Sequence, residues 1–207
     1  VGIVMDPHTG DVLALANWPT FDPSYARQLS ADLRRNRVLT DPVEPGSTFK
    51  PFTVASALHY GLLKPTDTVF CHNGYYSGRG FGTIREYNYH SYGNLTVAEI
   101  IMRSSNIGSA VIAQRVGKQR FYEMIRAFGF GQKTGIDLDG EGEGILRPLS
   151  QWNDKDYTLT RVGFGQGISV TPLQLIRGFC CFANGGILVR PRLVNGLLRA
   201  DGMIVRD

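Results

Sequence analysis

Apolar positions along the chain fall into short alternating runs and into longer runs with helical spacing. Val1-Gly2-Ile3-Val4-Met5-Asp6 and Asp11-Val12-Leu13-Ala14-Leu15-Ala16 read as strands around the turn Pro7-His8-Thr9-Gly10, so the first element expected is a β-hairpin. Phe52, Ala55, Ala57 and Leu58 make an apolar stripe that Gly61 ends, the pattern of a helix. Thr96-Val97-Ala98-Glu99 is a capping box. Leu95, Ala98, Ile101 and Met102 follow on one face, and Ile107, Ala110, Val111 and Ala113 continue the pattern. Phe121 to Phe128 reads as a short helix stopped by Gly129, and Thr171 to Cys181 as another, with Pro172 in its first turn and Asn184-Gly185-Gly186 as its stop. Ile187-Leu188-Val189 is expected to start a strand, and Leu197 to Val205 to form a hairpin limb about Asp201-Gly202. The mixture predicts an α/β-type (α+β) domain with a helical lobe between sheet parts.

Two polar interruptions carry the candidate chemistry. Glu44-Pro45-Gly46-Ser47-Thr48-Phe49-Lys50 puts a serine three residues before a lysine at the mouth of the first helix. Residues i and i+3 share a helix face, about 5–6 Å apart at Cβ, so Ser47 and Lys50 would lie side by side. A serine hydroxyl needs a base in hydrogen-bond reach to become a nucleophile. On spacing alone, a capping serine followed by a solvated lysine is the commoner meaning of Ser-x-x-Lys. The second interruption is Arg103-Ser104-Ser105-Asn106, inside the next helical pattern. It is either an exposed turn or link between helices, or a second hydroxyl and a carboxamide, Ser104 and Asn106, aimed at the cleft of Ser47.

Ser47-x-x-Lys50 followed by Ser104-x-Asn106 resembles the first two motifs of penicillin-binding proteins and serine β-lactamases. Arg35-Asn36-Arg37 through Pro51, Gly129-Phe130-Gly131 with Thr134-Gly135-Ile136-Asp137-Leu138, and Gly165-Gln166-Gly167-Ile168-Ser169-Val170-Thr171-Pro172-Leu173-Gln174 resemble the class B penicillin-binding proteins, the peptidoglycan transpeptidases. The resemblance runs from about Val1 to Arg192 and is nearest the division (septal) type. It implies a single transpeptidase domain over residues 1–207, with an antiparallel sheet flanked by helices. It implies catalytic roles for Ser47, Lys50, Ser104 and Asn106, with no cofactor and no metal. The implied partners are D-Ala-D-Ala stem peptides, β-lactam antibiotics and other cell-wall synthesis or division proteins. The implied location is the outer side of the cytoplasmic membrane, with an anchor upstream of Val1.

The family's third motif, Lys-Thr/Ser-Gly, is expected after the Thr171-Pro172-Leu173-Gln174 helix. The triplet Lys133-Thr134-Gly135 precedes that helix and reads as structural, and no other such triplet follows before Asp207. The chain therefore reads as a fragment that stops short of the third motif and of the C-terminal strands. By the resemblance, one oxyanion donor is the N–H of Ser47 and the other lies beyond the missing motif, so the fragment is expected to be slow or inactive. Three other readings stay open: a serine β-lactamase, a D-alanine carboxypeptidase, and a β-lactam sensor or scaffold without turnover.

Composition adds bounds rather than chemistry. The 207 residues suffice for one domain with a sizeable core. No run of 18 apolar residues or secretory leader is present. The net charge of +4 is spread out, and Arg34-Arg35-Asn36-Arg37 reads as a solvated or ion-paired surface rather than a nucleic-acid site. Cys71, Cys180 and Cys181 have no metal-ligand spacing, and the last two fall in an apolar helix, as core residues do. Cys71-His72 and His90 sit in a Gly-, Tyr- and Asn-rich stretch that reads as a loop over the cleft rather than a metal site. Loop packing is the expected role for most of Tyr75, Tyr76, Tyr87, Tyr89 and Tyr92, with groove lining as the alternative.

Overall fold

A computed structural model of the chain describes residues 1–152, 157–199 and 203–205. Strands β1 (Gly2–Met5) and β2 (Val12–Ala16) come first, then a 3-10 turn at Pro23–Gln28 and the one-turn helices α1 (Ala31–Arg34) and α2 (Arg37–Thr40). A 3-10 turn at Gly46–Phe49 runs into α3 (Lys50–His59). The strands β3 (Thr68–Phe70), β4 (Tyr75–Gly78), β5 (Gly82–Arg85) and β6 (Asn94–Thr96) follow, with further 3-10 turns at His72–Gly74 and Tyr87–Tyr89. Helices α4 (Val97–Met102), α5 (Asn106–Val116), α6 (Lys118–Ala127), α7 (Tyr157–Val162) and α8 (Pro172–Ala183) lead to β7 (Leu197–Leu198) and β8 (Ile204–Val205). No helix among the described residues is long and apolar enough to cross a membrane.

The contacts gather into two compact units. The first comprises Val1–Val43, Phe128–Gly144 and Val170–Asp207, and the second Glu44–Ala127 and Ile145–Ser169.

In the first unit, β1 and β2 form the expected antiparallel hairpin, with a bulge between Val4 and Met5. The Asp6 carboxylate makes the turn by accepting the N–H groups of His8 and Thr9. Helix α8 starts with the Pro172 anticipated from the sequence and with a capping box between Thr171 and Gln174. The Gln174 amide also donates to the carbonyls of Gln132 and Glu143, tying two loops to the helix start. Met5, Val38, Leu39, Ile136, Leu173, Cys180 and Val189 form the core of this unit. Cys180 and Cys181 are buried, as their apolar helix suggested. The segment at Ile187–Val189 is not a strand. It runs without a ladder to Arg192, which bridges Asp11 and exchanges backbone hydrogen bonds with Gly10 and Val12. β7 and β8 pair antiparallel as a hairpin, and Asp201-Gly202 lies outside the described residues.

In the second unit, β3 pairs with β6 and β4 with β5, all antiparallel. Every ladder among the described residues is thus antiparallel, as expected, and the strands described occur as four pairs. The hub of this unit is α5, whose Ile107, Gly108, Ser109, Ala110, Ile112, Ala113 and Val116 are all buried. Its small residues let α3 and α7 pack against it. The Thr53 hydroxyl of α3 donates to the Gly163 carbonyl at 2.7 Å, joining α3 to the end of α7.

The chain after α7 then meets the turn that carries Ser47. Gly46 N–H donates to the Gly165 carbonyl at 2.9 Å. Gly165 has φ +82°, and a Cβ there would lie 2.0 Å from the Gly46 carbonyl oxygen. No side chain fits between these two backbones. Gly165→Ala is therefore expected to destabilise the protein by at least ~1–3 kcal/mol, measured as a lower urea midpoint. An unchanged midpoint would show that this contact is not under the stated constraint.

Candidate active site

The four residues singled out from the sequence meet in the second unit. Ser47 lies in the 3-10 turn before α3, and Lys50 is the first residue of α3. Their predicted i, i+3 adjacency holds, with Lys50 Nζ 3.1 Å from Ser47 Oγ. The Ser104-Ser105-Asn106 interruption is a link between α4 and α5, and it does face Ser47. Lys50 Nζ contacts the Ser104 carbonyl at 2.5 Å, Ser104 Oγ at 2.9 Å and Asn106 Oδ1 at 2.8 Å.

These contacts sort by chemistry. An ammonium has three hydrogens to donate, and here it meets four oxygens. The Ser104 carbonyl and Asn106 Oδ1 can only accept, whereas the two hydroxyls can also donate. A neutral amine can give its two hydrogens to the obligate acceptors and turn its lone pair toward a hydroxyl. The orientation of Asn106 is settled by its other end, because Nδ2 donates to the Arg85 carbonyl at 3.0 Å.

Burial favours the neutral amine. Lys50 is only 1% exposed, although it opens a helix. Loss of hydration lowers its pKa from 10.5 to about 8, against the opposing pull of the Glu86 carboxylate. At pH 7 about one Lys50 side chain in ten would then be neutral, against fewer than about one in a thousand for an ordinary lysine. Ser47, by contrast, is exposed. It opens on a cleft of about 450 Å³ lined by Gly46, Glu86, Tyr87, His90, Arg103 and Gln166, among others.

Glu86 was not anticipated. It is one acid in a stretch of glycines and tyrosines, and nothing in its spacing distinguishes it. Its side chain is 5% exposed and accepts from Ser105 Oγ and from the N–H groups of Asn106 and Ile107.

The tyrosines divide between the two roles considered for them. Tyr76 packs between His72 and Phe81 and donates to Gln114. Tyr87 and Tyr92 line the cleft, and Tyr92 stacks on His90. Lys133-Thr134-Gly135 lies in the first unit and is not among the lining residues. The Glu141 carboxylate accepts the Thr134 and Gly135 N–H groups, so the triplet is part of a structural loop.

Ser104 holds a left-handed backbone, φ 54°, which costs a residue with a Cβ roughly 1–2 kcal/mol. Removing the hydroxyl by Ser104→Ala and by Ser104→Gly separates the strain from the hydrogen bonds. The glycine variant is expected to be the more stable of the two by about 1 kcal/mol in urea unfolding. Equal stability, or a more stable alanine variant, would contradict a strained link.

Comparison with known proteins places the chain in one family. The family described as penicillin binding protein transpeptidase domain matches residues 1–201. Penicillin-binding protein PbpB of Mycolicibacterium smegmatis is 37% identical over 206 residues, which are 99% of this chain and 31% of that protein. Stage V sporulation protein D of Bacillus subtilis is 36% identical over 192 residues, 92% of this chain and 29% of that protein. The structure of penicillin binding protein 3 from Mycobacterium tuberculosis, complexed with ampicillin, superposes with a TM-score of 0.88 at 35% identity. That superposition covers 99% of this chain and 45% of the other. The chain thus spans about a third of the length of these curated relatives. A serine, a buried lysine and a Ser-x-Asn link in one cleft, on a chain matched from residue 1 to 201, make this protein a member of the penicillin-binding protein transpeptidase domain family.

Proposed function

We propose that this chain carries the acylation centre of a peptidoglycan D,D-transpeptidase, with Ser47 as nucleophile, Lys50 as its base, and Ser104 and Asn106 completing the site. The observation that carries the reading is the convergence of Ser47 Oγ, Ser104 Oγ and Asn106 Oδ1 on the buried Lys50 amine, all within 3.1 Å. Names among its relatives support it, including the probable peptidoglycan D,D-transpeptidase PenA of Neisseria gonorrhoeae.

The geometry supports the following steps. Neutral Lys50 takes the Ser47 proton as Ser47 Oγ attacks the carbonyl carbon of the penultimate D-alanine of a stem peptide. The tetrahedral oxyanion is held in part by the Ser47 N–H at the helix start. Ser104 Oγ, 2.9 Å from the lysine nitrogen, passes that proton to the departing D-alanine amine. The acyl group stays on Ser47 until the amine of a second stem peptide takes it. A β-lactam carbonyl enters the same route, but its leaving amine stays tethered in the opened ring.

Glu86, a carboxylate of the cleft lining, already accepts three hydrogen bonds and is not a ready base for water, which supports transfer over hydrolysis. Donor peptide and β-lactam are therefore the small-molecule partners, with other cell-wall synthesis or division proteins around them. The site works on the outer side of the cytoplasmic membrane, where that substrate lies. The relatives include Stage V sporulation protein D and a peptidoglycan D,D-transpeptidase FtsI homolog, which supports a division-type role.

Intact mass after incubation with benzylpenicillin tests this reading. The wild-type chain is expected to gain one stable adduct, and Ser47→Ala none. Lys50→Met is expected to slow adduct formation by ~10²–10⁴-fold. An adduct that persists in Ser47→Ala, or one that forms equally fast in Lys50→Met, would overturn the reading.

A further inference from the structure

Glu86 follows β5 directly, and its side chain is almost fully withdrawn from solvent. A buried carboxylate persists where donors replace its water. Three do so here: Ser105 Oγ at 2.5 Å, Asn106 N–H at 2.7 Å and Ile107 N–H at 3.3 Å. The two amides are the first of the eleven-residue helix α5, so the carboxylate also meets the positive end of the helix dipole.

Its neighbour completes the clamp. Arg85 presents its carbonyl to Asn106 Nδ2, so Asn106 can offer Lys50 only its oxygen. Ser105, which donates to Glu86, also accepts from Gly108 N–H at 2.8 Å and cannot swing toward the cleft. Ser104, one residue earlier, has the strained backbone and gives Lys50 both its carbonyl and its hydroxyl. Such strain survives only where the surroundings over-determine it. The grip of Glu86 on the next two residues supplies that determination.

We propose that Glu86 is the positioning residue of this cluster: its buried carboxylate holds the Ser104–Asn106 link against Lys50 and acts on Lys50 as a counter-charge. The inference rests on the acyl-transfer reading of the cleft. Glu86 also opposes the effect of burial on the lysine.

The other charged groups around Lys50 have separate places. Arg103, with Tyr87, His90 and Tyr92, lines the mouth of the cleft. Cys71 lies behind Ser105. On the elements packed around α3, Glu99 caps α4, Arg161 donates to the Thr83 carbonyl, Arg85 lies over the Tyr75 ring and Arg120 over the Tyr60 ring. Arg115 is at the far end of α5.

The test uses ¹³C-labelled lysine. The Lys50 Cε resonance, assigned by its loss in Lys50→Met, is titrated in the wild-type chain, Glu86→Gln and Glu86→Asp. Benzylpenicillin acylation is timed on the same samples. Glu86→Gln removes the anion and with it support for the ammonium, so the Lys50 midpoint is expected to move to lower pH. With the lysine fully neutral, on the plateau above its midpoint, acylation is expected to fall about ten-fold, the factor for one lost charge-assisted hydrogen bond. Glu86→Asp keeps the charge one methylene further back and is expected to fall between the other two.

A midpoint in Glu86→Gln that superposes on the unsubstituted one overturns the proposal, even if acylation slows, because a merely structural role would slow the reaction without moving the titration. Should Glu86→Gln fail to fold, Glu86→Asp decides by the same criterion. A midpoint that moves as expected on a chain whose adduct persists in Ser47→Ala supports Glu86 as counter-charge while overturning the acyl-transfer reading.

Discussion

An amine stripped of water and surrounded by oxygens sets the conditions for everything else in this site. Lys50 is 1% exposed, and burial disfavours its charged form. Yet the position cannot be apolar, because four oxygens from three residues converge on its nitrogen. The result is a lysine poised between two protonation states near neutral pH. That is the condition for a general base with a driving force matched to a serine hydroxyl. The exposed Ser47 and the half-buried Ser104 and Asn106 are drawn together by this one nitrogen, so the cluster acts as a set.

The scaffold delivers these atoms by backbone more than by side-chain packing. The 3-10 turn at Gly46–Phe49 hands Ser47 and Lys50 to the same face of α3. The Gly46–Gly165 contact seats that turn, and Thr53 fastens α3 to the end of α7. On the other side, the break between α4 and α5 exposes one carbonyl and one hydroxyl of Ser104 that an unbroken helix would have hidden. The same break opens the first amides of α5, and the Glu86 carboxylate fills them. Strain in the link, a buried acid and a buried base therefore form one arrangement, in which no single group would be stable alone.

Much of this was legible in the residues. The hairpin at Val1–Ala16, the capping boxes at Thr96 and Thr171, the Pro172 start and the buried Cys180–Cys181 pair followed from local rules that tertiary structure did not override. Ser47, Lys50, Ser104 and Asn106 were found because they interrupt apolar runs at informative spacing. Ile187–Val189 failed as a strand because an apolar run has no ladder without a partner, and among the described residues it is Arg192, further on, that bridges the hairpin. Glu86 was missed for a related reason. Its meaning lies in three donors 19 to 21 residues away, and no local pattern marks a residue whose partners are that distant.

The central claim is that Ser47 gives its proton to Lys50, so the rate of acylation should follow the neutral fraction of that lysine. The most direct measurement is the second-order rate constant for benzylpenicillin acylation of Ser47 across the range from neutral to strongly alkaline pH. The account predicts a rate that rises with pH and levels off with a midpoint near the Lys50 pKa of about 8, because the amine becomes available as its proton leaves. A rate independent of pH, or one still climbing toward the ordinary lysine value of 10.5, would contradict it.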